Sequence, residues 1–184
     1  MIAKISDFLA RLAKPWLILL SFAVMAAMMG YFLPGAQAQL EASGGGPIDL
    51  MMFPTPAAVL AGIAAFSAEG RAFYLIVELT YDLVYPLAYT LFYGLSLTVL
   101  LNQVAAPGSP YRRLNVLPVV AFFFDMLENI GIVSLLASFP AQSAALAAFV
   151  SLANSFKWMF ALASMAALLI ALLFWLAHKF FRKK

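Results

Sequence analysis

"ELTYDLVYPLAYTLFYG", residues 78–94, carries two carboxylic acids, four tyrosines and a proline inside a run apolar enough to cross a bilayer. At 100° per residue, Arg71, Tyr74, Glu78, Asp82, Tyr85, Tyr89, Tyr93 and Ser96 all fall within about 60° of one line on a helix. The polar residues therefore form a stripe. A charged residue at the centre of a membrane helix costs about 2.5 to 3.5 kcal/mol, whereas each large apolar residue returns only about 0.3 to 0.6. Two acids facing lipid would cancel roughly ten such residues, so Glu78 and Asp82 must face other helices. Pro86 adds a second polar feature, because it cannot donate to the carbonyl four residues earlier, which belongs to Asp82.

The rest of the chain supplies those helices. Of 184 residues, 65% are hydrophobic and only 10% charged, too few to cover a soluble domain. Apolar segments at 15–34, 72–101, 114–139 and 144–177 each reach the roughly 20 residues needed to cross hydrocarbon. The expected fold is an all-α integral membrane protein, a four-transmembrane-helix bundle forming one domain over 1–184. The last segment would be roughly 51 Å long at about 1.5 Å per residue, so it must tilt, bend or project.

Nine of the eleven basic residues lie on alternate connections: Lys4, Arg11 and Lys14, then Arg112 and Arg113, then Lys179, Arg182, Lys183 and Lys184. Short basic loops stay on the cytoplasmic side, so both termini are expected there, as in a bacterial inner-membrane protein. Residues 1–14 place Ile2, Ile5, Phe8, Leu9 and Leu12 at helical spacing, which predicts an interfacial helix.

"PGAQAQLEASGGGPID", 34–49, reads as an irregular extracytoplasmic loop. Thr55 and Pro56 then start a helix too short to span, an interfacial helix or lid within the 35–70 connection. "AQA" at 36–38 resembles a signal-peptidase site. The apolar run before it is about 18 residues, longer than a signal core, so a retained first span is expected.

The third span contributes Asp125, Glu128 and Asn129 on one broad face, and the fourth contributes Ser151, Asn154 and Lys157. Counting helical rise from the outer ends places Asp82, Glu128, Asn129 and Asn154 about 13 to 15 Å deep, Asp125 and Lys157 at about 20 Å, and Glu78 at about 8 to 10 Å. Three helices bring polar groups to one level. Four carboxylates against one ammonium leave about −3 if all ionise, which desolvation and mutual repulsion both oppose. Either some acids hold protons or a cation supplies the balance, with Arg71 positioned to pair with Glu78.

The absence of cysteine excludes disulfides, thiolate catalysis and zinc-cysteine sites. The single histidine, His178, reads as an interfacial side chain remote from any base role, which removes serine-hydrolase chemistry. Phosphate loops, dinucleotide fingerprints and His-based metal patterns are absent, and the positive residues read as topology and contact with lipid headgroups, with no nucleic-acid partner. No cofactor is called for by a motif. A metal held by oxygen alone stays open, with Glu78, Asp82, Asp125 and Glu128 as hard ligands.

Three readings follow. In the first, the bundle, with membrane lipids around it, binds or transforms a small amphiphilic, lipid-like or cationic molecule. Asp82, Asp125, Glu128 and Lys157 would form its proton-transfer or charge-contact group, with Glu78, Tyr85, Tyr89, Asn129, Asn154 and Arg71 contacting the ligand. In the second, the same groups relay protons or cations in a small transporter, as an oligomer. In the third, they are a structural polar core.

Overall fold

The structure is a computed structural model that describes residues 1–181, and these residues are all-helical, with no strand among them. The terminal basic residues Arg182, Lys183 and Lys184, expected at the cytoplasmic edge, lie outside the described residues. Four helices are long and apolar enough to cross a membrane, at Pro15–Ala42, Ala68–Val104, Pro110–Ala137 and Ala144–Phe180.

Helix α1 (Ile2–Leu12) buries Ser6 and Leu9 and leaves Ile2 and Phe8 exposed. Pro15 then starts α2 (Pro15–Ala27), at the position where its missing N–H costs nothing. The expected loop from residue 34 is not there. A π-helical turn over Met28–Phe32 leads straight into α3 (Leu33–Ala42), with the Leu33 amide bonded to the Met28 carbonyl. Pro34 has no N–H to give the Gly30 carbonyl, and the wider turn lies immediately before it. Continuing the helix buries Leu40 completely and Ala36 nearly so, which outweighs the weak helix preference of this stretch.

The end of α3 is sharply defined. Gly44 sits at φ +107°, its amide bonded to Glu41 O at 3.2 Å and the Gly45 amide bonded to Leu40 O at 3.4 Å. This double bond pattern terminates a helix with a left-handed residue. A Cβ at Gly44 would come within 2.6 Å of Ala65 O, so bulk as well as backbone angle favours glycine here.

Thr55 caps α4 (Pro56–Ala65) by accepting from the Ala58 amide at 3.2 Å, as its sequence suggests. Val59 and Ile63 are buried, and α4 packs on α7 (Ala144–Phe181). Ser67 caps α5 (Ala68–Val104) by accepting from the Gly70 amide at 3.0 Å. A 3-10 turn, Pro110–Val116, precedes α6 (Leu117–Ala137). At Gly131 the α6 backbone approaches Val150 of α7 so closely that an added Cβ would lie 2.5 Å from a valine methyl.

The core is divided along its length. One apolar cluster holds Leu40, Ile48, Ile63, Tyr74, Val77, Ile132 and Val150. A second holds Met25, Ala88, Tyr89 and Ala121, with Phe160 against it. On α5, α6 and α7 alike, the buried acids, asparagines and lysine fall between these two clusters in sequence. The opposite face of α5 exposes Ile76, Leu79, Leu83, Val84 and Leu87, as a lipid-facing surface should.

Candidate functional site

The α5 stripe turns inward: Glu78 is 1% exposed and Asp82 6%. On α6, Asp125, Glu128 and Asn129 are all buried, as are Asn154 and Lys157 on α7. Lys157 Nζ lies 2.5 Å from Glu128 Oε2 and 3.9 Å from Asp125 Oδ1. Asn154 donates to the other Glu128 oxygen at 2.8 Å, and Tyr89 donates its hydroxyl proton to Asp125 Oδ2 at 2.9 Å. Asn129 donates to the Asp82 carbonyl at 2.8 Å. The backbone oxygen left over by Pro86 is therefore already matched from α6.

A fifth acid, Asp49, joins from the connection between α3 and α4, a stretch expected to be only an irregular loop. Residues 45–55 fold inward onto α5 and α7. Tyr74 anchors them: the Ile48 amide donates to its hydroxyl at 2.7 Å, and that hydroxyl donates to Asp49 Oδ1 at 2.8 Å. The Asp49 carbonyl accepts from Lys157 Nζ at 2.8 Å, and the Phe53 amide donates to Asn154 Oδ1 at 3.2 Å. Ser151 donates to the Pro54 carbonyl. One carboxylate oxygen each from Asp49, Glu78 and Asp82 lie within 4.8 Å of one another.

The ten residues singled out from the sequence do not all meet at one surface. A cavity of about 140 Å³ is lined by Asp82, Asp125, Lys157, Tyr85 and Tyr89, joined by Asp49, Tyr93 and Trp158. Glu128, Asn129 and Asn154 stand behind this wall and hold its members in place, and Glu78 lies beside it next to Asp49. Arg71 does not pair with Glu78. Its guanidinium donates to the Phe66 carbonyl and lies over the Phe139 ring, 3.8 Å from the centroid. The start of α5 turns it toward the α4–α5 and α6–α7 connections, one level above the acids.

The polar lining is incompletely matched. Asp82 Oδ2 and Trp158 Nε1, on two residues that line the cavity, are buried and have no hydrogen-bond partner among the described residues. Buried groups of this kind are rare unless something bonds to them. Leu50 and Met165 also line the cavity and are each half exposed, so it reaches the surface between the inward loop and α7. Comparison of the chain with protein-family models, curated proteins and solved structures finds no match.

Proposed function

We propose that this is a multi-pass inner-membrane protein that binds a small amphiphilic molecule. The polar head enters the cavity among Asp82, Asp125, Lys157 and Trp158, and the apolar part extends past Leu50 and Met165 into lipid. Both termini face the cytoplasm by the distribution of lysine and arginine, and the 43–67 connection with α4 forms an extracytoplasmic lid over the site. The observation that carries this reading is that Asp82 and Trp158, two lining residues of one cavity open at Leu50 and Met165, each keep a buried polar atom, Oδ2 and Nε1, without a partner among the described residues. A head group with both donor and acceptor, such as a hydroxyl or amide, satisfies the two at once.

The volume supports a small head. About 140 Å³ is close to the roughly 150 Å³ of a protein cavity that takes up one benzene-sized molecule. The division of labour supports binding more than relay. Asp125 and Glu128 are committed to Tyr89, Asn154 and Lys157, which leaves Asp82, with Asp49 beside it in the lining, to contact a ligand or exchange a proton with it.

The test is lipid mass spectrometry of protein purified from membranes, combined with binding of single-chain amphiphiles that carry hydroxyl or amide heads. Co-purified amphiphile at about one per chain, reduced at least tenfold by Asp82→Asn, supports the proposal. A reconstituted proton or cation flux abolished by Asp82→Asn, with no bound amphiphile, overturns it in favour of a relay.

A further inference from the structure

The charges around the cavity fall into two groups, and only one of them is neutralised. Lys157 is placed against Glu128 and Asp125, and these are the only ion pairs among the described residues. Asp49, Glu78 and Asp82 have carboxylate oxygens within 4.8 Å of one another, and none of these carboxylates is ion-paired among the described residues; Lys157 reaches only the Asp49 backbone carbonyl. The basic residue on their own helix face, Arg71, is engaged by the Phe66 carbonyl and the Phe139 ring.

Hydrogen bonds do not replace the missing charge. Glu78 is 1% exposed and neither of its oxygens has a partner among the described residues, nor does Asp82 Oδ2. The nearby Tyr74 hydroxyl has one proton, and it goes to Asp49 Oδ1 at 2.8 Å. A buried carboxylate with both oxygens unmatched, aimed at two other acids, is costly unless a cation binds it.

We propose that Asp49, Glu78 and Asp82 form a binding site for a hard divalent cation. Oxygen ligands on opposite sides of Ca²⁺ lie about 4.6 to 5.2 Å apart for bonds of about 2.3 to 2.6 Å, and about 4.0 to 4.2 Å apart around Mg²⁺. The observed spacing within 4.8 Å fits one ion held by all three carboxylates without rearrangement of the helices. All three donors are carboxylate oxygens, and no histidine or thiol is near, which selects hard cations over zinc or copper. Tyr74 serves as the outer-shell partner that fixes Asp49, as metal-binding carboxylates usually require.

The site joins the inward loop, through Asp49, to α5, through Glu78 and Asp82. Ion binding would therefore lock the loop against the helix that lines the cavity. This inference stands on the three carboxylates alone and does not depend on the identity, or the existence, of an amphiphilic ligand.

The experiment uses the full chain in lipid nanodiscs, stripped with chelator and titrated calorimetrically with Ca²⁺ and Mg²⁺. Mn²⁺ serves as a paramagnetic probe read by electron spin resonance. One saturable site per chain is expected, weakened at least tenfold by Glu78→Gln and by Asp49→Asn and unchanged by Glu41→Gln, a substitution of an exposed acid. Cation binding should also slow proteolysis of residues 45–55. Asp49→Asn lies outside the helices and guards against a Glu78 variant that fails to fold. Absence of saturable binding, or binding indifferent to both substitutions, overturns the proposal and leaves three acids sharing protons.

Discussion

Asn129 of α6 donates its side-chain amide to the backbone carbonyl of Asp82 at 2.8 Å, the carbonyl that Pro86 deprives of its helical partner. The two features on different helices thus answer each other. Removing Asn129 should expose a buried acceptor and cost about 1 to 2 kcal/mol. Asn129→Ala is expected to lower unfolding stability by that amount in wild type. In a Pro86→Ala background the amide of residue 86 can bond to Asp82 O, and the cost should fall by about 1 kcal/mol. Equal costs in both backgrounds would show that the bond carries no stability.

Lys157 neutralises two acids that have no other cation. Lys157→Met strands Glu128 and Asp125 in an apolar setting, and breaking a buried pair from one side costs about 3 to 5 kcal/mol. Adding Glu128→Gln should restore part of the loss, because the glutamine can still accept from Asn154. Reversible unfolding in mixed micelles measures both. A double variant no better than Lys157→Met would mean that packing of the lysine stem, and not its charge, is what matters.

Tyr74 holds the inward loop by accepting from Ile48 and donating to Asp49. Tyr74→Phe should therefore speed hydrogen exchange across residues 47–53 while the amides of α7 keep their protection. Unchanged exchange in the loop would show that Ser151, Asn154 and Lys157 hold it without help.

The inward direction of the acids was legible from helical period and energy together. Glu78, Asp82, Asp125, Glu128 and Lys157 lie on spans, where side-chain direction follows from 100° steps and lipid exposure is costly. Depth counted by helical rise also brought Asn154 level with Glu128, which it contacts. Asp49 was not legible, because an irregular segment has no fixed rise and its return toward the bundle depends on Tyr74, 25 residues further on. The one local signal was its setting, an acid between apolar Ile48 and Leu50 in an otherwise glycine-rich stretch. The end of the first span was missed for a related reason: Pro34 and the small polar residues after it read as loop, but a π-helical turn and the burial of Leu40 carry the helix to Ala42. Arg71 shares the angular position of the acids but stands near the start of α5, where a neighbouring carbonyl and an aromatic ring are within reach.

The central claim is that the cavity beside Trp158 receives a head group while remaining open to lipid. It is tested most directly by fluorescence of a Trp16→Phe, Trp175→Phe variant, in which Trp158 is the sole tryptophan, titrated in nanodiscs with a single-chain amphiphile brominated near its head. The expected result is saturable quenching at about one amphiphile per chain, shifted to at least tenfold higher concentration by Asp82→Asn. Quenching that rises linearly with bromolipid content and ignores that substitution would contradict the account.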